Sequence, residues 1–564
     1  MSIKVRVYNN GDDVFVAWKP SVVTENKPTG FIPKCRGFAL LRRRNGVEEV
    51  VSTWVGFEGQ KHQEGERRAS TNWPIQKFQW TDYMANPGDN LQYRVVPMVG
   101  PDKDNLHADS DKASKWTDEI KLSHEVTPKI EAYFNRGIVA SQWVSRRLET
   151  TEENLQSKKL RTVIETPGDS FRNYLAGPLG ERLFELLASA AKDKRNIYAA
   201  LYELDDKELE TALKKFGKRT HLVLANGSVD KKGEDQNSEA RGKLENINDV
   251  KDRMCSPRAL GHNKFLVICD SKNKPRWVWT GSQNWSKTGL CTQANNSVLI
   301  DDFGLAEQYL NQWTLLKDAH DDTPNSLRQS NSEPRDEMVS QTPLRLWFTP
   351  TVGLVDLIEA RKVIEEARQA ILFLMFNPGP KDTLLNEIIK TARAGKAGKR
   401  LYIHGVINQD PSTTANPVEL FQQDNSDKAD FEVALPAAID EPTEWFRREL
   451  KKLPGTFAMV HSKVVLVDPF TEHPVLLTGS HNLGPKASGI NDENLLIIKN
   501  CPGLAGAYAT NIMSIYNQYR WRFRRHTQTK SKRWNGLKDN DTWQSGYLKE
   551  GSTGLREINF WVGE

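Results

Sequence analysis

A chain of 564 residues is long enough for two to four domains, since a domain takes about 150 residues. Hydrophobic residues make up 38% and aromatic residues 9%, which is enough for large packed cores. The net charge of +5 is too small to indicate a nucleic-acid-binding protein by itself. No run of about 18 apolar residues occurs, so no transmembrane segment is predicted.

The five cysteines are scattered, without a C-x-x-C pair or a Cys/His cluster. This spacing argues against a structural zinc site and against a disulfide framework. The N-terminus has no basic start followed by an apolar stretch, so no Sec-type signal peptide is predicted. We therefore expect a cytoplasmic protein, although a chain exported by a route without a Sec signal would have the same sequence features.

Residues 1–123 consist of short, often alternating apolar runs such as DVFVAW and LQYRVVPMV, separated by turn residues. This pattern predicts an all-β sandwich. The placement of Trp18, Trp80 and Tyr93 resembles a fibronectin type III or immunoglobulin-like domain, with Tyr93 as the candidate for a tyrosine corner. Core packing alone also explains these aromatic residues. Such a domain binds or spaces rather than catalyses, so a protein partner is one role that we consider for it.

Beyond the sandwich, the order helix, strand, helix, strand occurs twice, in 124–320 and in 344–535. This repetition predicts a duplicated α/β unit. The polar stretch 321–343, rich in Ser and Pro, is the predicted linker, and 536–564 is a C-terminal extension. The expected fold is a multidomain chain in which the sandwich precedes two α/β halves.

Both copies carry the same polar motif, HNKFLVICD with TGSQN in the first and HSKVVLVD with TGSHN in the second. The motif residues are His262, Lys264, Asp270, Ser282 and Asn284, and then His461, Lys463, Asp468, Ser480 and Asn482. His and Lys are two residues apart, so they face the same side of a strand. The first copy has one extra residue before its Asp, which turns Asp270 to the other side unless a β-bulge absorbs it.

The paired H-x-K-x4-D and G-S-x-N elements resemble the phospholipase D superfamily, and the likeness covers about residues 125–535. The second copy matches the pattern in full, and the first departs from it at the extra residue before Asp270. The resemblance implies two α/β halves around one pseudo-twofold active site. It also implies phosphodiester hydrolysis through a phosphohistidine intermediate, without a metal ion or cofactor.

The residue types suit this chemistry. A neutral imidazole can attack phosphorus, and a second, protonated imidazole can donate a proton to the leaving oxygen. Two lysines and two asparagines would hold the non-bridging oxygens and stabilise the developing charge, as a metal ion would otherwise do. These donors are Lys264, Lys463, Asn284 and Asn482, with Ser282, Ser480, Asp270 and Asp468 in supporting roles.

Eleven residues after the asparagine of each G-S-x-N element stand Asn295 in the first copy and Glu493 in the second. This unequal pair resembles tyrosyl-DNA phosphodiesterase, in which such residues contact the histidine of the other half. The resemblance implies that Glu493 pairs with His262, the nucleophile, and that Asn295 orients His461, the general acid and base. The opposite roles for the two histidines stay open, as does Asn296 in place of Asn295.

The segment 516–534, YNQYRWRFRRHTQTKSKRW, interleaves cations with aromatic residues, a composition typical of single-strand nucleic acid binding. Arg522, Arg524 and Arg525 are the candidate substrate contacts, although a terminal helix with solvated arginines explains the same pattern. The sequence therefore favours a nuclease. The alternative is a phospholipase D that hydrolyses phospholipid headgroups, including one delivered as an effector, and a third hypothesis is a catalytically silent binding protein.

Overall fold

A computed structural model describes residues 2–21, 30–61, 63, 65–137, 153–227, 229, 235–394, 401–408, 411, 421–422, 431–434, 459–527 and 536–563. The arrangement of its helices and sheets confirms the predicted mixed α/β class. None of the helices in these ranges has the length and apolar character needed to cross a membrane.

The described N-terminal residues form three antiparallel sheets: one in the order β1-β2-β7, one in the order β10-β8-β3-β4 with β9 paired to β8, and the small pair β5-β6. The strands are β1 (Ser2–Asn9), β2 (Val14–Ser21), β3 (Cys35–Arg44), β4 (Val47–Val50), β5 (Ser52–Thr53), β6 (Arg68–Ala69), β7 (Gln79–Asp82), β8 (Asn90–Val99), β9 (His107–Ala108) and β10 (Ile120–Lys121). A short 3-10 helix spans Ser110–Lys112. Trp18, Phe38 and Tyr93 are fully buried in one hydrophobic cluster.

The hydroxyl of Tyr93 donates to Oδ2 of Asp82 at 2.8 Å. Nη1 of Arg42 donates to the same oxygen at 2.5 Å. A tyrosine corner uses the hydroxyl to bind the backbone. Tyr93 therefore departs from the expected motif, because its partner is a buried carboxylate.

The C-terminal residues pack into this N-terminal module. Nε1 of Trp543 donates to the Cys35 carbonyl at 2.9 Å, and the Gln544 amide exchanges two 3.0 Å hydrogen bonds with the backbone of Ile32. Ile558 lies in the same hydrophobic cluster as Trp18. The extension is therefore part of the module's core.

The first α/β half surrounds an eight-stranded sheet in the order β11-β12-β19-β17-β16-β13-β14-β15. Its elements are β11 (Glu125–Thr127), β12 (Ile130–Phe134), α1 (Glu153–Glu165), α2 (Ser170–Lys192), β13 (Ile197–Leu201), α3 (Lys207–Lys214), β14 (Thr220–Ala225), α4 (Ser238–Leu244), β15 (Asp249–Arg253), β16 (Lys264–Cys269), β17 (Pro275–Gly281), α5 (Lys287–Cys291), β18 (Gln293–Ala294), β19 (Asn296–Asp301) and α6 (Phe303–Ala319). A 3-10 turn spans Gly217–Arg219.

The second half surrounds a nine-stranded sheet in the order β20-β21-β29-β28-β27-β22-β23-β25-β24. Its elements are α7 (Asn325–Asn331), β20 (Arg335–Val339), β21 (Thr342–Phe348), α8 (Val355–Glu365), β22 (Ala370–Met375), α9 (Leu384–Ala394), β23 (Tyr402–Ile407), β24 (Phe421–Gln422), β25 (Phe431–Ala434), β26 (Met459–Val460), β27 (Lys463–Val467), β28 (Val475–Gly479), α10 (Pro485–Gly489), β29 (Asn494–Lys499) and α11 (Pro502–Thr527). The C-terminal segment adds a 3-10 turn at Thr542–Gln544, α12 (Ser545–Leu548) and α13 (Thr553–Val562).

The two large sheets share one strand plan. In each, two consecutive antiparallel strands carry the motif, β16 and β17 in the first half and β27 and β28 in the second. The neighbouring strand, β13 or β22, continues the sheet in parallel with the strand beyond it. Apart from the motif lysine that begins β16, strands β16 and β22 consist of buried apolar residues, as is typical of strands that are covered on both faces.

The stretch 321–343 differs from the expected linker. It contains α7 and β20, which is the edge strand of the second sheet. Leu327 and Val339 are buried, so a few apolar residues anchor an otherwise polar segment. Because its buried apolar residues are few and widely spaced in the sequence, the composition of the segment resembles that of a loop.

The two halves share one hydrophobic cluster. The rings of Phe265 and Tyr309 in the first half lie 5.0 Å apart, and Tyr309 lies 5.2 Å from Phe348 of the second half. A buried ion pair also joins the halves, with Nε of Arg253 2.8 Å from Oδ2 of Asp492. The guanidinium also donates to the carbonyls of His320 and Asp322.

We predict that Arg253→Met lowers the free energy of unfolding by about 3–5 kcal/mol, because it leaves Asp492 charged and unpaired in the interior. Chemical denaturation followed by circular dichroism measures the change. The double variant Arg253→Met/Asp492→Leu should recover most of the loss. The exposed ion-pair residue Lys390, changed to Met, is the control and should leave stability nearly unchanged.

Candidate active site

The two motif histidines lie just before the strands β16 and β27, and both are 3% exposed. Nδ1 of His262 is 2.6 Å from Oε2 of Glu493, which belongs to the second half. Nδ1 of His461 is 2.9 Å from Oδ1 of Asn295, which belongs to the first half. Each histidine is therefore held by a side chain from the opposite half, as the resemblance implied.

The backbone enforces this crossing. The short strands β18 and β26 pair in parallel, and the Ala294 carbonyl accepts from the amides of His461 and Ser462 at 3.0 and 2.9 Å. On the other side, the Asp492 amide donates to the Leu260 carbonyl at 2.9 Å, next to the bridge between Gly261 and Asp492. Gly261, which precedes His262, is thus paired with Asp492, which precedes Glu493. In the same way Val460, which precedes His461, is paired with Ala294, which precedes Asn295.

The hydrogen bonds define the state of the His461 ring. Nδ2 of Asn295 donates to the Gly289 carbonyl at 2.9 Å, and Oδ1 of Asn295 accepts from Oγ of Ser282 at 2.8 Å. The amide oxygen therefore faces His461, and Nδ1 of that ring must carry the proton. Glu493 accepts from Nδ1 of His262 in the same way. Nε2 is then the ring nitrogen that these contacts leave for chemistry.

The two motif lysines are buried beside the histidines. Nζ of Lys264 donates to the His262 carbonyl at 2.7 Å, and Nζ of Lys463 donates to the His461 carbonyl at 2.6 Å. Burial lowers the pKa of Lys264 to about 7 and brings the pKa of Lys463 well below its ordinary value. Each ammonium group is destabilised because burial removes its hydration. An anion beside the two lysines would stabilise their charged forms.

Burial also lowers the pKa of both histidines, and the charges of the two lysines lower it further. A neutral imidazole at His262 keeps the electron pair that a nucleophile needs. An anion bound between the lysines would raise the pKa of His461 again and favour its protonated form. Anion binding would therefore favour the form of His461 that can donate a proton.

Burial raises the pKa of Glu493 to about 7, and the charges of His481 and Lys264 oppose this rise. Oε1 of Glu493 also accepts a hydrogen bond from the side-chain Nδ2 of Asn491 at 3.2 Å. A positive charge that develops on His262 would favour the ionised carboxylate. The pair can therefore stabilise a cationic imidazole during a reaction.

The serines and glycines of G-S-x-N have a structural function. Oγ of Ser282 accepts from the Asn296 amide at 3.1 Å, and Oγ of Ser480 accepts from the Asn494 amide at 3.0 Å. A Cβ on Gly281 would lie 2.2 Å from the Asn296 carbonyl oxygen, so only glycine fits there. These contacts fix the first residues of β19 and β29, the strands that follow Asn295 and Glu493.

Of the motif asparagines, Asn284 is buried and Asn482 is half-buried. Nδ2 of Asn284 donates to Oε2 of Glu203 at 2.6 Å. Among the described residues, Oδ1 of Asn284 and Oδ1 of Asn482 have no hydrogen-bond partner. A buried amide oxygen without a partner can accept a hydrogen bond from a polar ligand.

The motif aspartates lie away from the site, at the far ends of β16 and β27. Asp468 accepts hydrogen bonds from the backbone amides of Arg368, Gln369 and Ala370 at 2.7–3.1 Å. Asp270 caps a turn through the amides of Lys272 and Lys274, and the register of β16 shifts just before it. In the part of the chain that the structure describes, neither carboxylate contacts a motif histidine, lysine or asparagine.

Three site residues do not follow from the motifs. The rings of Tyr202 and Phe376 lie 4.6 and 4.7 Å from His262 and His461, and each also lies beside the lysine of its own half. Glu203 follows Tyr202. An alignment of LYEL in the first copy with MFNP in the second places the two aromatic residues at equivalent positions and is the signal that could have found them.

The basic segment near the C-terminus begins within α11. The side chains of Arg522, Arg524 and Arg525 lie outside the described residues. Tyr508, earlier on the same helix, is buried and accepts from Nδ2 of Asn296 at 2.9 Å. Asn296 therefore takes part in the interface between the halves, and Asn295 is the residue that contacts His461.

No protein-family model matches the chain, and no curated protein matches it significantly. Polyphosphate kinase from Porphyromonas gingivalis aligns at 11% identity over 56% of this chain and 45% of that chain, with a TM-score of 0.37. This chain thus spans less than half of that kinase. Phosphatidylserine synthase from Haemophilus influenzae Rd KW20 aligns at 14% identity over 59% and 84% of the two chains, with a TM-score of 0.38. Nuc, a phospholipase D family member from Salmonella typhimurium, aligns at 18% identity over 31% and 95%, with a TM-score of 0.23.

We predict that Asp468→Ala lowers the free energy of unfolding by about 2–4 kcal/mol, because three backbone amides lose their charged acceptor. Asp270→Ala, at the equivalent position of the first half, should change stability far less because its carboxylate is exposed. Thermal melting compares the two variants. Equal melting temperatures for both would contradict the anchoring role of Asp468.

Proposed function

We propose that the protein is a metal-independent phosphodiesterase that acts through a phosphohistidine intermediate. The observation that carries this proposal is the crossed pairing of His262 with Glu493 and of His461 with Asn295. It places two imidazoles of unequal environment beside two buried lysines. The same pattern supports one composite active site formed by both α/β halves.

In the first step, Nε2 of His262 attacks phosphorus, and the bond between phosphorus and the leaving oxygen breaks. That oxygen takes the proton from Nε2 of His461. In the second step, His461 removes a proton from water, the hydroxide oxygen attacks phosphorus, and the phosphorus–nitrogen bond breaks. The products are an alcohol and a phosphomonoester, and both histidines return to their initial states.

The unequal partners support this division of roles. A carboxylate stabilises a cationic imidazole more than an amide does, and His262 becomes cationic when it carries the phosphoryl group. Asn295 orients His461 without fixing its charge, so that this ring can give and then take a proton. Lys264, Lys463 and the two motif asparagines would neutralise the phosphoryl oxygens.

The substrate that we favour is nucleic acid. The interleaved cations and aromatic residues of 516–534 support this choice, since they supply contacts for phosphates and for bases. Hydrolysis of a phospholipid headgroup bond is the alternative and requires the same catalytic groups. We further propose that the N-terminal sandwich positions the enzyme or binds a protein partner.

We predict that His262→Ala and His461→Ala each lower kcat by at least about 10²–10⁴-fold, the usual contribution of a positioned proton-transfer group, with unchanged circular dichroism spectra. With an aryl phosphodiester, whose leaving group needs no proton, His461→Ala should accumulate a phosphoryl adduct on His262. Mass spectrometry of the acid-labile adduct locates it. An adduct on His461 in the His262→Ala variant would reverse the roles, and near-normal turnover by either variant would contradict the mechanism.

We predict that excess chelator leaves the rate unchanged, because side chains supply the positive charge. The assay offers single-stranded DNA, duplex DNA, RNA and phosphatidylcholine/phosphatidylethanolamine vesicles in EDTA, with His262→Ala as the matched control. Cleavage of nucleic acid that is lost in the control is the expected result. Release of choline or ethanolamine instead would assign the enzyme to lipids, and activity restored only by one metal would contradict the proposal.

A further inference from the structure

One carboxylate of the site belongs to neither motif. Glu203 lies two residues beyond β13, whose last residue, Leu201, pairs with Lys264. The Trp285 amide donates to the Glu203 carbonyl at 3.1 Å, and the Asp205 amide donates to the Trp285 carbonyl at 3.2 Å. The segment is thus joined to the G-S-x-N loop of the first half. Glu203 as a residue is partly exposed, and its carboxyl group is buried enough to raise its pKa.

The contact of Glu203 with Asn284 selects one orientation of the amide. An amide can turn by 180° and exchange its NH2 group for its oxygen. An ionised carboxylate only accepts hydrogen bonds, so the 2.6 Å contact from Nδ2 of Asn284 disfavours the turned form. Nδ2 carries a second hydrogen, which remains available for another acceptor.

The second half lacks this device. Met375 pairs with Lys463 as Leu201 pairs with Lys264, so Asn377 stands where Glu203 stands in the first half. The backbone of Asn377 has a φ of +38°, and its Oδ1 accepts from Nδ2 of Asn408 at 3.4 Å. The residue of the second half that is equivalent to Glu203 is therefore an amide and not a carboxylate.

The charges around Glu203 shape any test of its role. Burial raises the pKa of Glu203, the charges of Lys264 and Lys463 oppose the rise, and Asp205 adds to it. Removal of the carboxylate would change the affinity for an anion through charge alone. A comparison of two uncharged replacements avoids this effect.

On the basis of the proposed phosphodiesterase function, we propose that Glu203 is a positioning residue that holds Asn284 with an N–H group directed at the phosphoryl oxygens. Without it, the amide can present its oxygen to the phosphate, which repels the anion. Glu203 thereby gives the nucleophile's half of the site a fixed hydrogen-bond donor, and the equivalent position of the other half, Asn377, is not acidic. It does not itself contact the reacting atoms.

The experiment compares Glu203→Gln with Glu203→Leu, each in the native chain and in Asn284→Ala. Gln retains an oxygen that accepts from Asn284, and Leu does not, while neither carries a charge. In the native background, kcat/KM should be about 10–100-fold higher for Gln than for Leu. The dissociation constant for inorganic phosphate, measured by calorimetry, should be about tenfold lower for Gln. In the Asn284→Ala background, both ratios should fall to within about twofold.

A ratio that persists in the Asn284→Ala background would overturn the proposal, because Glu203 would then act through the fold or on another group. Equal behaviour of Gln and Leu in the native background would overturn it as well. Asn377→Gly, which suits the positive φ, is the matched control and should leave both readouts unchanged. Inorganic phosphate that binds native protein and Lys264→Met equally well would instead contradict the phosphodiesterase function itself.

Discussion

The site depends on one constraint, which is that the side chain bonded to Nδ1 of each histidine comes from the opposite half. The carboxylate of Glu493 and the amide of Asn295 each reach across the interface to the opposite ring. The backbone bridges beside them place these side chains, and the ion pair of Arg253 with Asp492 secures one of the bridges. The geometry of the chemistry is therefore a property of the packed pair of halves.

The same packing brings four basic side chains together in the interior of the protein. Two lysines and two histidines are buried together, and burial disfavours the charged form of every one. The hydrophobic contacts between the halves offset this cost. An anionic group at the centre would relieve it, as the proposed phosphodiesterase function requires.

Much of the candidate site could be predicted because the two copies of the motif can be compared with each other. Matched spacing predicted the histidines, lysines and asparagines as candidate site residues, and the unequal pair Asn295 and Glu493 predicted contacts that the structure contains. Glu203 was missed because one acidic residue after a strand has no distinctive spacing. The separation of Asp270 and Asp468 from the site was missed because face alternation does not tell how far along a strand a side chain lies.

The packing of Trp543 and Gln544 against the backbone of Ile32 and Cys35 has a consequence for biosynthesis. A ribosome makes the strands of the N-terminal module before the residues that complete its core, which follow some 500 positions later. The core of the module therefore stays incompletely covered while both α/β halves are translated. Its final closure is a late step in folding, and it ties the beginning of the chain to the end.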